Sequence, residues 1–211
     1  MRISYAIPVC NEHVELEKLL SFLVKHIDEN DEIVVQCDKG NTTPEVYKVL
    51  DLFKAPVGLK DPLKVIEFPL KGDFASFKNN LKFHCEKEWI FQIDADELPH
   101  EFLITNLKEV LKSNPSTDLI LVPRINTVDG LTKDHINKWR WNINGKGWVN
   151  FPDYQTRIVQ NSPKINWTSK VHEVLVGHES YTLLPQEEEW CLYHPKHILR
   201  QEAQNNFYDT L

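Results

Sequence analysis

The stretch Trp89-Ile90-Phe91-Gln92-Ile93-Asp94-Ala95-Asp96-Glu97 constrains the fold more than any other part of the chain. An apolar run rich in β-branched and aromatic residues reads as a strand buried on both faces. It stops abruptly in three carboxylates, so the strand ends where the sheet meets water. Open α/β sheets bind ligands at that C-terminal edge. Residues two apart on a strand share a side, so Asp94 and Asp96 can converge on one cation. Oxygen ligands of this kind suit Mg²⁺ or Mn²⁺, ions that in turn bind phosphates. The pattern points to a metal-assisted site for a phosphorylated or nucleotide-linked substrate. Taken alone, it is equally satisfied by acids that merely solvate a strand end.

The residues before this run alternate strand and helix. Ile3 to Val9 reads as a strand, and Leu16, Leu19, Leu20, Leu23, Val24 and Ile27 follow at helical spacing. Glu32 to Cys37 is a second strand, and Pro44 opens a second helix running to Phe53. Leu63 to Phe68 is a third strand, and a helix from about Asp73 to Glu86 precedes the acidic run. Such alternation with short links predicts right-handed crossovers and a Rossmann-like α/β fold. Its central sheet is mainly parallel, with helices on both faces. Beyond Glu97, Phe102 to Leu111 predicts another amphipathic helix and Leu119 to Val122 another buried strand. From Asn126 to Trp190 the chain is rich in Gly, Pro, Asn and Trp. Strand-like pieces there are short, at Thr156–Val159 and Val171–Val176, and a terminal helix is expected from about Lys196. The expected organisation is a single domain over residues 1–211. An ordered half runs to about residue 123, and a mixed, loop-rich half with the terminal helix fills about 124–211.

Charge and cysteine usage exclude some functions. With 24 Lys+Arg against 31 Asp+Glu the net charge is −7, unsuited to broad phosphate-driven nucleic-acid binding. No apolar run approaches the ~18 residues that cross a bilayer. The N-terminus is strand-like, without a basic region leading into an apolar signal core. Cys10, Cys37, Cys85 and Cys191 form no CxxC pair and read as reduced thiols. The expectation is a cytoplasmic protein.

Three more segments could carry chemistry. Pro8 cannot donate to a ladder and ends the first strand, leaving Asn11 and Glu12 in the loop before the first helix. They could equally be an N-cap Asn with a first-turn Glu. Asp38 closes the second strand, with Gly40 permitting a tight turn; it could bind a hydroxyl or simply form an Asx-turn. Gly72 to Asn79 opens a helix whose N–H groups favour anions, and Lys78 could add a full charge.

In order, the chain carries P-x-x-N-E, D-x-G-N-T, F-A-S-F-K-N and W-I-F-Q-I-D-A-D-E. That order resembles family 2 glycosyltransferases of the GT-A fold, above all small bacterial and phage enzymes resembling lipopolysaccharide-core glucosyltransferases. The resemblance covers Met1 to Val122 well and runs more loosely to the end. It implies that Pro8, Asn11, Glu12 and Asp38 cradle the uracil and ribose of a UDP-sugar, with Lys78 near the nucleotide. That position is more often Arg in this branch, and Lys lacks the planar fork. Asp94, Ala95 and Asp96 would hold the ribose and the divalent ion, Mn²⁺ or Mg²⁺, that bridges the diphosphate.

The second half adds Asp153-Tyr154-Gln155-Thr156-Arg157, then Trp167 and Val171-His172-Glu173, which look like the acceptor-side segments of the same branch. The resemblance implies a late metal-binding His, with His172 the better fit and His194 its rival. Arg157 could hold a diphosphate oxygen or an acidic acceptor, or pair with a structural acid. Inverting transfer needs a carboxylate to deprotonate the acceptor hydroxyl. Asp153 occupies the place where this fold usually puts it, and Glu173 is the alternative. If Val171–Glu173 is a regular strand, His172 and Glu173 face opposite sides, which favours Asp153. Trp139, Trp141, Trp148 and Trp167 are either sugar-stacking platforms or core.

The function implied is a metal-dependent, inverting glycosyltransferase moving a hexose from a UDP-sugar, UDP-glucose first, to a glycan or other hydroxyl acceptor. Oligomeric state is left open, a dimer included. Two alternatives fit parts of the pattern. Haloacid-dehalogenase-like phosphatases also end a strand in DxD, but near the N-terminus and with Thr or Val where this chain has Leu98. A degenerate protein that binds nucleotide or glycan without turnover is the other.

Overall fold

The contiguous apolar runs become the central strands. The computed structural model describes residues 1–55, 58–61 and 63–208, with side chains to residue 205. Strands β1 (Ile3–Val9), β2 (Glu32–Asp38), β3 (Lys64–Phe68) and β4 (Trp89–Gln92) are linked by α1 (His13–His26), α2 (Pro44–Leu52) and α3 (Phe74–Phe83). They lie parallel in the order β4-β1-β2-β3. Alternation along each strand divides the core between two faces. Tyr5, Ile33 and Phe91 pack with α1, α2 and α4 (Glu101–Ser113). Their neighbours Ala6, Val34 and Ile90 pack with α3 on the other face. Burial on both faces is why these strands read as unbroken apolar runs.

After β4 come β5 (Leu98–Pro99), β6 (Leu119–Val122), β7 (Arg124–Asp129), α5 (Lys133–Trp139) and β8 (Gln155–Gln160). Then follow β9 (Asn166–Thr168), β10 (Val174–Val176), β11 (Tyr181–Leu183), β12 (Leu192–His197) and α6 (Ile198–Tyr208). The large sheet runs β11-β6-β8-β4-β1-β2-β3. In it, β8 inserts antiparallel between β4 and β6. A small sheet orders β5-β12-β7, with β12 parallel to β7.

Three elements depart from the sequence expectation. The strand expected over Val171–Val176 starts only at Val174, because His172 takes a left-handed backbone (φ +54°). The terminal helix starts at Ile198, since Lys196 pairs in register with Val128 as part of β12. The third helix stops at Phe83, and the Glu86 N–H donates instead to Glu32 Oε1 at 2.6 Å.

The C-terminal ends of β4, β1 and β2 are neighbours. From β1 the chain builds outward to β2 and β3 on one side and to β4 on the other. This is the switch point at which open α/β sheets form a crevice. All four cysteines are free, and burial pushes the Cys37 thiol up to about 11 and Cys85 up to about 12. Among the described residues no helix is long and apolar enough to cross a membrane.

Candidate active site

A cleft of about 1090 Å³ opens over that crevice. The loop after β1 contributes Pro8, Asn11 and Glu12 to its wall, the end of β2 contributes Asp38, and the turn after β4 contributes Asp94, Ala95 and Asp96. Lys78, Arg157, His172 and Glu173 line it as well. The structure thus brings nearly all the expected residues to one cavity, with Asp153 outside its lining.

Several of these side chains also build the cleft. Glu12, rather than Asn11, occupies the N-cap of α1, and its Oε2 accepts from the Cys10 and Asn11 N–H groups, both at 2.9 Å. Asp38 accepts from the Leu70 N–H and from Asn41 Nδ2, both at 2.9 Å, tying the β2 loop to the approach to α3. Gly40 supplies the positive φ (+90°) that this turn needs. Lys78 pairs with Glu173 and lies 4.4 Å from the Trp167 ring centroid. Because residues 171–173 do not form a regular strand, His172 and Glu173 both face the cleft. The opposite-faces argument that favoured Asp153 over Glu173 therefore does not hold.

The two acids of the DxD turn have different neighbours. Asp94 is bonded by Arg157 Nη2, which also donates to Glu97 Oε1 at 2.6 Å. Arg157 is 4% exposed and Glu97 is 1% exposed. Arg124 joins the same carboxylate, Nη1 to Glu97 Oε1 at 2.9 Å, and continues through Nε and Nη2 to Asp153 Oδ2 at 2.9 and 2.7 Å. Glu97, the third acid of the run, is thus the buried hub of an Arg–Glu–Arg network. Of the readings open for Arg157, its contacts are with acids of this chain.

Asp96 faces the C-terminal elements. His194 Nε2 lies 3.3 Å from Asp96 Oδ2, Arg200 Nη2 3.4 Å and Lys196 Nζ 4.0 Å. Arg200 also reaches Glu12 and Glu15, each at 3.1 Å. His194 Nδ1 stands 2.6 Å from Asn126 Oδ1, and Asn126 Nδ2 donates to Asp153 at 2.7 Å. A ring of polar contacts therefore runs from Asp94 through Arg157, Glu97, Arg124 and Asp153, and returns through Asn126 and His194 to Asp96. Both candidate histidines line the cleft, and His194 is the one in contact with Asp96 of the DxD turn.

Burial alone would raise all three aspartates, but their cations outweigh it. Arg157 and Lys78 hold the Asp94 carboxyl below its ordinary value. His194, Lys196 and Arg200 hold Asp96 well below. Arg124, with hydrogen bonds from Asn126 and Gln155, does the same for Asp153. Burial pushes the Lys196 ammonium down against the pull of Asp96. Among the described residues no three His, Cys, Asp or Glu side chains cluster closely enough to hold a metal ion unaided.

Arg124, Asn126, Lys196 and Arg200 were not foreseen. A faint signal existed, because Arg124/Asn126 and His194/Lys196 each alternate on a strand and so share a side. The parallel register sets Asn126 against His194.

Comparison with known proteins agrees with this geometry. Residues 4–174 match the sequence profile of Glycosyl transferase family 2. An uncharacterized glycosyltransferase of Haemophilus influenzae is 30% identical over 83 residues, 39% of this chain and 29% of that protein. The chain thus spans under a third of that curated relative. Residues 1–349 of S. aureus TarS superpose with a TM-score of 0.65 at 14% identity, covering 92% of this chain and 60% of that one. The same fragment crystallised with UDP-GlcNAc gives 0.65 at 15% identity, covering 93% and 59%. With the expected α/β architecture observed and four-fifths of its length within the profile, this chain belongs to glycosyltransferase family 2 and has the GT-A fold.

Proposed function

We propose that the protein transfers a hexose from a UDP-sugar, UDP-glucose first, to a hydroxyl acceptor with inversion at the anomeric carbon. In this reading residues 1–211 are one domain, with the donor half to about residue 123 and the acceptor half beyond. The observation that carries it is the DxD turn at the switch-point crevice, facing the β1 loop and Asp38 across a cleft of nucleotide-sugar size. The TarS fragment solved with UDP-GlcNAc has the same fold, which supports a uridine donor.

Pro8, Asn11, Glu12 and Asp38 would receive the uracil and ribose, with Lys78 beside the nucleotide. Asp96 and His194, 3.3 Å apart, would be the residues of this chain that hold a divalent ion, Mn²⁺ or Mg²⁺. When bound, the ion neutralises charge on the departing diphosphate. Lys196 and Arg200 add fixed positive charge on the same side, where it stabilises the leaving group. Asp94, clamped by Arg157, holds the turn in shape and faces the ribose.

Asp153 is the better base of the two candidates. Glu173 pairs with Lys78 beside Trp167, on the nucleotide side, whereas Asp153 bonds Arg124 and Asn126 toward the C-terminal elements. Asp153 would accept the acceptor's hydroxyl proton as its oxygen attacks opposite UDP.

Thermal-shift titration with UDP and UDP-sugars, with and without Mn²⁺, tests the donor site on wild type and Asp96→Ala. Saturating nucleotide at about 100 Kd should stabilise wild type by about 2.7 kcal/mol. That shift should need Mn²⁺ and vanish in the variant. A folded wild type that no uridine nucleotide stabilises would leave a degenerate glycan-binding protein as the reading.

A further inference from the structure

A second cavity, of about 210 Å³, adjoins the donor cleft and shares Arg124, His194, Lys196 and Gln204 with it. Its remaining wall is unlike the cleft's. Asn150, Gln201 and Asn205 present side-chain amides and Trp141 an aromatic ring, while Asn126 is already bonded at both ends, to His194 and Asp153. An amide both donates and accepts, as a sugar hydroxyl does. An aromatic face suits the C–H face of a pyranose, the other half of sugar chemistry.

The cavity is held in shape before any ligand arrives. The Trp141 ring lies 4.7 Å from that of Trp139, which stacks on His135 at 5.2 Å and 12°. Gln201 Nε2 donates to Asn205 Oδ1 at 2.9 Å, and the Asn142 N–H donates to Asn150 Oδ1 at 2.8 Å. Each bond commits one end of an amide and leaves the other for a ligand. The cations on this wall are already engaged: Arg124 pairs with Glu97 and Asp153 and His194 with Asp96, while Lys196 Nζ donates to Gln204 Oε1 at 2.6 Å and lies 4.0 Å from Asp96. Paired charges and surplus amides favour a neutral ligand over an acidic one.

We propose that this cavity is the acceptor subsite and that it takes an uncharged, hydroxyl-rich pyranose. The assignment rests on the transferase reading for what happens next. Asp153 lines neither cavity, but Asn126 of this wall bonds it at 2.7 Å, and an acceptor hydroxyl bound here stands one side chain from that base. Its proton passes to Asp153 and its oxygen bonds the donor's anomeric carbon. The bond from that carbon to the diphosphate breaks, and the electron pair leaves with UDP.

Saturation-transfer-difference NMR tests the subsite. The probes are methyl α- and β-glycopyranosides of glucose, galactose, mannose and N-acetylglucosamine, with UDP and the diamagnetic Mg²⁺ in the same tube. At least one glycoside should receive saturation from wild type. Trp141→Ala and, as a gentler change on α6, Gln201→Leu should each weaken its binding about fivefold to tenfold. The UDP signal should persist in both variants, since neither residue lines the donor cleft. Glycoside signals absent from wild type, or unchanged in a folded Gln201→Leu protein, would overturn the assignment. A missing UDP signal beside an intact, Gln201-dependent glycoside signal would instead sink the donor reading and leave the glycan site standing.

Discussion

Asp94 and Asp96 are two residues apart, yet they sit in opposite kinds of environment. Asp94 is gripped by a guanidinium whose side chain is 3% exposed and which simultaneously holds the fully buried Glu97. Asp96 meets three cations from β12 and α6 at the longer distances of 3.3 to 4.0 Å, the nearly buried His194 and Lys196 and the half-buried Arg200. Buried charge pairs with short bonds are costly to break and hold a single geometry. Longer contacts are more cheaply exchanged than short ones, and a diphosphate or a metal ion needs such an exchangeable partner. The turn thus joins a fixed arm that shapes the site to a replaceable arm that can receive the substrate.

Removing the fixed arm should have the largest effect. Arg157→Leu leaves Asp94 and Glu97 without their shared partner, at a cost of about 3–5 kcal/mol. Urea denaturation reads this directly. Arg157→Lys should recover little, because one ammonium cannot reproduce a fork that bonds two carboxylates. A loss of under about 1 kcal/mol in Arg157→Leu would mean that the arm is not fixed by charge burial and would erase the contrast.

Next comes Asp153, where the two arms meet through Arg124 and Asn126. Asp153→Asn keeps the shape and removes the basic oxygen. Transfer should fall about a hundredfold or more, while UDP still shifts the melting temperature as in wild type. Glu173→Gln should show the reverse, because it frees Lys78 on the nucleotide side. If Glu173→Gln instead loses turnover with donor binding intact, the base lies on the nucleotide side.

The fixed and replaceable arms also differ in how far they were legible from sequence. The alternation from β1 to α4 was readable because doubly buried strands must be apolar throughout and helices must bury one stripe. The acidic strand end was readable because carboxylates cannot continue a buried run. The role of Glu97 was not, since its partners Arg124 and Arg157 lie 27 and 60 residues away. A buried glutamate demands a cation, but local sequence does not say which one. Likewise β8 carries no mark that it will insert between β4 and β6. Pro195 and Lys196 looked like the approach to a helix, although β12 pairs with β7 through His197. That misreading hid the residues that bring His194 and Lys196 to Asp96, 98 and 100 residues away.

Acid should separate the arms more mildly. Asp94, Asp96 and Asp153 lie below their ordinary values when folded, so the stability they contribute is present above about pH 3.9. It is lost as the pH falls through their lower folded values. Wild type should therefore lose melting temperature steeply below about pH 4 on account of these groups. Asp153→Asn should show a shallower acid limb than wild type. An identical limb would mean that Arg124 does not favour the ionised form as its contacts indicate.

The smallest effect belongs to Arg200. Arg200→Ala leaves Asp96 with His194 and Lys196, and Glu12 with two backbone N–H donors. Glu15, 40% exposed at its side chain, is left to water. No buried charge is stranded, so the loss should be about 0.2–1 kcal/mol in the same urea experiment, several times less than for Arg157→Leu. High salt should shrink it further, because a partly exposed pair is screened where the Arg157 network is not. Equal losses from the two arginines would mean that Arg200 locks the turn as firmly as Arg157 does. The replaceable arm would then have to be sought in His194 and Lys196.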